Sequence, residues 1–320
     1  MKILVFGRDG QLGKAFQEEL GKRTAALLEK PIIQYVGRSE CDLTNAVALT
    51  QLLHQFQPQL IINASAYTAV DKAETELDLA FAINARAPEI MAAYAADHNA
   101  TFLHYSTDYV FDGEKYGYYL EDDLRNPLGV YGKSKAAGEE AIARIFATVE
   151  GDGQYAIFRT SWVYGEGGNF IRTILRLAKE REELKIIHDQ FGVPTSADWL
   201  AQVSLNLVLD DHACLRKFTS GIYHAVPAGE TTWHGLASLA VQVALDAGVT
   251  LKAHPGAIQP ILAVEYPLPA PRPMNSRMST DKLGQVLRGR GDMSKLEQLN
   301  QSWDQAVRSY VNHLAKDGLI

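Results

Sequence analysis

The first thirteen residues constrain the fold more than any other stretch of this chain. An apolar run from Ile3 to Phe6 stops at Gly7, and Gly7-Arg-Asp-Gly10-Gln-Leu-Gly13 follows with its glycines spaced three apart. From Gln11 to Leu20 apolar and polar residues recur at helical spacing, so the pattern reads strand, turn, helix. Glycine permits the tight turn. It also lets backbone N–H groups, together with the positive end of the helix, approach a pyrophosphate without side-chain interference. A purely structural turn could carry the same spacing, but its place after the first strand makes nucleotide binding the stronger reading, with Gly7, Gly10 and Gly13 as candidate contacts.

The alternation continues downstream. Ile32 to Val36 is a second strand candidate, Val47 to Phe56 a helix, Leu60-Ile-Ile62 a third strand ending at Asn63-Ala-Ser-Ala66, and Glu76 to His98 one long helix. Thr101 to Tyr105 forms a fourth strand that delivers Ser106, Thr107 and Asp108 at its carboxyl end. A helix carrying Tyr131 and Lys135 follows, then a fifth strand, Tyr155 to Arg159. Repeated strand and helix units with apolar strands predict an α/β fold of Rossmann type, a doubly wound parallel sheet covered on both faces. Ligands in such sheets bind beyond the carboxyl ends of the strands.

The second half is less regular. Gly165-Glu-Gly-Gly168 reads as a flexible loop and Asn169 to Leu184 as a helix with apolar Ile171, Ile174, Leu175 and Leu177. Pro267-Leu-Pro-Ala-Pro-Arg-Pro273 cannot lie inside a regular helix. Residues 1–160 are therefore expected to form the dinucleotide-binding domain, with later segments returning to it, and 161–320 mainly a smaller C-terminal substrate-binding lobe. The Pro-rich stretch either closes over the ligand or is a surface connector.

Composition removes several classes of function. With 320 residues, 47% of them hydrophobic, the chain can bury a sizeable core. The net charge of −7 comes without a basic block, which argues against nucleic acid or an anionic membrane as the main partner. Cys41 and Cys214 are the only cysteines, in no CxxC or Cys/His cluster, so neither a disulfide framework nor a zinc site is signalled. Lys2-Ile-Leu-Val-Phe6 is too short for a signal h-region and no stretch approaches about 18 apolar residues. These features predict a cytoplasmic protein with small-molecule partners.

The chemistry concentrates in Val130-Tyr-Gly-Lys-Ser-Lys-Ala-Ala-Gly-Glu139. Four residues is little more than one helical turn, so the Tyr131 phenol and the Lys135 ammonium project from one face. A free phenol titrates near about 10, and an adjacent ammonium stabilises the phenolate and lowers that value, which makes Tyr131 a usable general acid. Among 14 tyrosines about one Tyr-x-x-x-Lys would arise by chance, so the pair gains its weight from following a dinucleotide-type turn and a hydroxyl triplet. At the end of the second strand, where an NAD enzyme often presents a carboxylate to the adenosine ribose, this chain has Gly37-Arg38-Ser39. A guanidinium suits a 2′-phosphate, so NADP(H) is favoured over NAD(H), unless Arg38 is simply a solvated charge. Asp42 and Leu43 could flank the adenine, or Asp42 could cap the next helix. His104 and His224 read as core histidines, and Glu139-Glu140 as a solvated face.

Together these residues resemble the extended short-chain dehydrogenase/reductase superfamily and, over nearly the whole chain, its dTDP-4-dehydrorhamnose reductase family. The resemblance is carried by the glycine turn, Asn63-Ala-Ser-Ala-Tyr-Thr-Ala-Val-Asp-Lys-Ala-Glu74, Tyr105-Ser-Thr-Asp-Tyr-Val-Phe-Asp-Gly113 and Asn126-Pro-Leu-Gly-Val-Tyr-Gly-Lys-Ser-Lys135. Arg159-Thr-Ser-Trp-Val-Tyr-Gly165, Asp189-Gln-Phe-Gly-Val-Pro-Thr195 and Arg272-Pro-x-Asn-Ser276 complete it. It implies reduction of dTDP-4-dehydro-β-L-rhamnose at C4, the last step of dTDP-L-rhamnose synthesis. It places Gly10, Gln11 and Leu12 on the pyrophosphate, Asp42 and Leu43 near adenine, Ala66, Tyr67 and Thr68 along the cofactor, and Thr107, Asp108 and Trp162 at the sugar nucleotide. Members often hold an acidic residue near the end of the second strand and use either nicotinamide cofactor, so Gly37-Arg38 counts against dual use here. Some relatives form Mg²⁺-linked homodimers through acidic side chains. No carboxylate cluster stands out in this chain, so no metal ligand is assigned, and Mg²⁺ and a homodimer stay open.

In the implied reaction hydride reaches the C4 carbon, Tyr131 donates the proton, Thr107 holds the carbonyl oxygen, and Lys135 binds the nicotinamide ribose while tuning Tyr131. Thr107 also reads as a strand-end cap and Trp162 as core packing. The competing functions are a related nucleotide-sugar epimerase, dehydratase or 4-ketoreductase, and a non-catalytic regulatory subunit of the same fold. Tyr109 follows Asp108 where dehydratases carry Glu, and a non-catalytic subunit would not need Thr107, Tyr131 and Lys135 together.

Overall fold

The computed structural model describes all 320 residues. The first half runs β1 (Lys2–Phe6), α1 (Gln11–Thr24), β2 (Ile32–Val36), α2 (Ala46–Phe56), β3 (Leu60–Asn63), α3 (Val70–Ala73), α4 (Leu77–Phe81), a π-turn (Ala82–Arg86), α5 (Ala87–Asp97), β4 (Thr101–Thr107), α6 (Val130–Thr148) and β5 (Gln154–Thr160). The second half continues with β6 (Val163–Tyr164), α7 (Phe170–Glu180), β7 (Leu184–Ile187), β8 (Phe191–Gly192), β9 (Thr195–Ser196) and α8 (Ala197–Val208). It ends with β10 (Gly221–His224), β11 (Thr231–Thr232), α9 (Trp233–Asp246), β12 (Ile258–Ile261), α10 (Asp281–Gly289), α11 (Met293–Leu299) and α12 (Trp303–Lys316).

Six parallel strands form the central sheet in the order β10-β5-β4-β3-β1-β2. Every residue of β3 and β4 is buried, because a strand covered on both faces must be apolar or paired on each side. Leu12, Phe16 and Leu20 of α1 pack on one face with Leu200, Val203 and Leu207 of α8 and Leu283 and Leu287 of α10. Leu49 and Leu53 of α2, Met91 and Ala95 of α5 and Ile142 of α6 cover the other. The chain leaves β1 for β2 on one side and returns to β3 on the other, and this reversal opens a crevice at the carboxyl ends of β1 and β3. A separate core, built from α7, α9, α12 and the paired β7 and β12, forms the second lobe.

Two expected helices end differently. The long helix from Glu76 is interrupted by the π-turn, whose extra residue turns the Asn84 side chain toward Tyr67, accepting from its N–H at 2.9 Å and donating to its carbonyl at 3.0 Å. The helix from Asn169 stops at Glu180, and Leu184 opens β7 instead, because pairing with Ile258–Ile261 outweighs the helical pattern. No helix is long and apolar enough to cross a membrane.

Candidate active site

The glycine turn hangs from the ends of β1 and β2, with the Gly7 N–H donating to the Val36 carbonyl at 3.0 Å. Gly7 has φ +87°, and a Cβ there would lie 2.7 Å from the Ala64 carbonyl carbon; one on Gly13 would lie 1.9 Å from the Gly7 oxygen. Only glycine fits either place. Gly10 caps α1 without a side-chain hydrogen bond, so the N–H groups of the first turn face outward unfilled by protein. The Gln11 Oε1, buried beside them, has no partner either. The free N–H donors and a cradle that a Cβ would fill suit a pyrophosphate. Leu12 turns inward to the core. Ala66 and Tyr67 follow β3 beside this turn, partly buried, with Thr68 exposed.

The end of β2 holds more than the sequence disclosed. Arg38 is exposed, whereas Arg8 lies 2.9 Å from Glu40 Oε1 and 3.1 Å from Asp9 Oδ1. Glu40 Oε2 accepts from the Gly37 N–H at 2.9 Å, so a carboxylate does stand at this strand end, directly after the Gly37-Arg38-Ser39 stretch. Asp42 does not cap α2. Its side chain accepts from Thr44, and Asn45 caps the helix by accepting from the Ala48 N–H at 3.0 Å. Leu43 packs against the core beneath α2.

At the carboxyl end of β4, Thr107 accepts from the Tyr109 N–H at 3.2 Å and donates to Asp108 Oδ1 at 2.9 Å. It is thus the strand-end cap as well as a site hydroxyl. Its single proton points at Asp108, so in this state it cannot also hold a ketone oxygen. Asp108 is buried, which pushes its carboxyl up to about 6, and Ser276 from the C-terminal segment donates to its other oxygen. Tyr131, in the first turn of α6, neighbours Thr107 and meets the Tyr109 ring edge-on at 5.5 Å. Burial pushes its phenol up to about 12, with Thr107 opposing the rise, so it carries its proton throughout the neutral range.

Lys135 departs from the expected arrangement. No hydrogen bond joins it to Tyr131; its amine donates to the Tyr105 carbonyl and lies 3.5 Å from His104 Nε2. The lowering of the Tyr131 pKa expected from Lys135 is not among the influences on that phenol, and the amine is directed instead at the Tyr105 carbonyl, two residues before Thr107 on β4. Burial brings Lys135 down to about 8, against an opposing pull from Glu139. Glu139 itself corrects the reading of Glu139-Glu140 as a solvated face. It is completely buried, forked by Arg159 at 2.9 and 2.7 Å and approached by Arg125 at 3.4 Å, while Glu140 is exposed. The register that sets Arg159 opposite Ser106 brings this guanidinium under α6. His104 and His224 are buried as expected, and desolvation takes His224 down to about 3.

The second lobe reaches the site through Trp162 and the segment after the prolines. Trp162 holds φ +48°, a costly conformation for a bulky residue, and stacks on Trp233 at 3.7 Å. A Cβ on Gly192 would lie 2.6 Å from the Trp162 ring, so glycine lets the indole lie there. Arg272 forks Asp71 at 2.6 and 2.8 Å, tying the Pro-rich segment to the start of α3. Asn275 donates to the Lys115 and Gly117 carbonyls at 2.7 Å each. Glu40 and Trp233 had no sequence signal of their own, since the contacts that place them, to Arg8 and to Trp162, come from far along the chain. No group of three His, Cys, Asp or Glu side chains that could hold a metal ion is present.

A parallel sheet with a glycine-lined switch point, and a Tyr and Lys one turn apart beside a strand-end hydroxyl, defines a dinucleotide-dependent oxidoreductase of the extended short-chain dehydrogenase/reductase architecture. Within that class the chain belongs to the family described as RmlD substrate binding domain, which matches residues 1–315. It is 42% identical over 287 residues to the dTDP-4-dehydrorhamnose reductase of Shigella flexneri, covering 89% of this chain and 91% of that one. A crystal structure of a dTDP-4-dehydrorhamnose reductase from Clostridium acetobutylicum superposes with a TM-score of 0.82 at 32% identity, over 98% of this chain and 99% of that chain. The enzyme of the same name from Bacillus anthracis, solved in complex with NADP, gives 0.79 at 32% identity, over 96% of this chain and 97% of that chain.

Proposed function

We propose that this protein reduces the C4 ketone of dTDP-4-dehydro-β-L-rhamnose to give dTDP-L-rhamnose, with NADP(H) preferred and NAD(H) accepted. The observation that carries this reading is the Tyr131 phenol set beside Thr107 at the carboxyl end of β4, one turn from Lys135. The names of the relatives supply the substrate.

When bound, a reduced nicotinamide supplies the hydride. The chain's residues do the rest. Gly7, Gly10, Gln11, Leu12 and Gly13 hold the pyrophosphate, Ala66, Tyr67 and Thr68 line the cofactor, and Asp42 and Leu43 lie by the adenine. Arg38, exposed and without an ion-pair partner, meets a 2′-phosphate, whereas the Glu40 carboxylate offers a ribose hydroxyl an acceptor. Tyr131 gives its proton to the ketone oxygen as charge develops there. Thr107 supports that oxygen once its proton leaves Asp108. Lys135 orients the cofactor ribose, and Asp108 and Trp162 hold the sugar nucleotide. We assign residues 1–160 to cofactor binding, joined by α8, β10 and α10, and most of 161–320 to the substrate lobe. In this reading the enzyme works in the cytoplasm.

The test is consumption of NADPH and NADH with dTDP-4-dehydrorhamnose, with and without EDTA. Stoichiometric oxidation supports the reductase. An unchanged absorbance with epimerised product would establish the epimerase instead, and nucleotide binding without turnover would point to a regulatory subunit.

A further inference from the structure

A buried chain of hydrogen bonds runs from the cofactor side of β3 to the amine of Lys135. Asn63 Oδ1 accepts from the Ser65 N–H at 3.2 Å and from the Ser65 hydroxyl at 2.5 Å. A backbone N–H can only donate, so the amide oxygen must face Ser65 and the amide nitrogen must face His104 Nδ1, 3.1 Å away. That nitrogen also only donates. Nδ1 of His104 is therefore an acceptor, and a neutral ring then carries its one proton on Nε2, which lies 3.5 Å from Lys135 Nζ.

We propose that His104 is a positioning residue for Lys135: Asn63 locks its ring in the Nε2–H tautomer, and that N–H faces the amine and opposes its protonation. A neutral amine can accept this N–H while donating to the Tyr105 carbonyl, whereas an ammonium would set donor against donor. The surroundings agree. Asn63 from β3 and Asn84 from the π-turn are uncharged, and α5 presents Ala87 and Met91. On α6, Tyr131 keeps its proton, and Glu139, the one carboxylate pulling Lys135 upward, is engaged by Arg159 from β5 and by Arg125. Asp108, at the end of β4, is held by Thr107 and Ser276. Burial keeps His104 well below the usual imidazole range, so the ring is neutral.

This inference rests on Lys135 belonging to the catalytic set, but its first test does not use activity. In protein labelled with ¹⁵N-histidine, His104 is identified by its NOEs to the Phe102 ring and by loss of its signals in His104→Gln. Nδ1 should be pyridine-like and Nε2 pyrrole-like. The reverse pattern overturns the proposal whatever the enzyme's substrate. Asn63→Asp keeps an acceptor for Ser65 but can only accept from Nδ1–H, so the tautomer should swap and Nε2 should now welcome the ammonium. The basic inflection of kcat/KM assigned to Lys135 should then move up by about one unit, about a tenfold gain in proton affinity. A swapped tautomer with an unmoved inflection also overturns it. Should Asn63→Asp fail to fold, the wild-type spectrum alone decides.

Discussion

Tyr131 and Asp108 show how burial sets the protonation of two neighbouring groups. Tyr131 keeps its proton to about 12, so its value as an acid lies in position and not in ready ionisation. Tyr131→Phe should lower kcat by about 10²- to 10⁴-fold while NADPH binding, followed by fluorescence titration, stays near normal. Asp108 titrates at about 6; above that pH its carboxylate takes the Thr107 proton, and below it the proton is released toward a ketone oxygen. Thus kcat/KM should rise as pH falls through about 6, and Asp108→Asn, which cannot titrate, should lose that inflection. A wild-type profile flat from pH 5 to 7 would remove Asp108 from the mechanism.

At the scale of elements, the join between α6 and β5 matters most. The Arg159–Glu139 pair is wholly enclosed, so removing one member leaves an uncompensated charge in the interior. Glu139→Ala should cost about 3–5 kcal/mol, read as a lower urea midpoint with an unchanged slope; a truly solvated glutamate would cost within about 0.5 kcal/mol. This pair also marks where sequence reading reached its limit. The strands and helices were legible because doubly covered strands such as β3 and β4 must be apolar throughout. The pairing of phenol and amine could be proposed from the sequence because their four-residue spacing is local, and the hydroxyl because it closes a strand. Glu139 was not, since its partner comes from the next strand and nothing near it in sequence announces a guanidinium. Glu40 was missed for the same reason, its tie to Arg8 running from one loop to another.

Across the whole molecule, several polar contacts tie the C-terminal segment to the cofactor-binding half, among them Ser276 to Asp108 and Asn275 to the Lys115 and Gly117 carbonyls. The Asp71–Arg272 fork is another, with the Ala270 N–H adding a third bond to the same carboxylate at 3.1 Å. Being partly exposed, it should contribute no more than about 1 kcal/mol to stability. Its weight should fall on substrate capture. Arg272→Ala should raise KM for the sugar nucleotide about tenfold with little change in Tm, and limited proteolysis should cut more readily within 267–273. An unaltered KM would make the Pro-rich segment a plain connector.

One edge strand of the central sheet, β10, comes from residues 221–224, after α7 and α8. During synthesis about two-thirds of the polypeptide must therefore leave the ribosome before β5 gains its outer neighbour. Until then that edge offers unpaired N–H and C=O groups to any extended segment nearby. Such a late, long-range closure makes the nascent chain a natural client for chaperones and a hazard in stalled translation, whatever the stability of the finished enzyme.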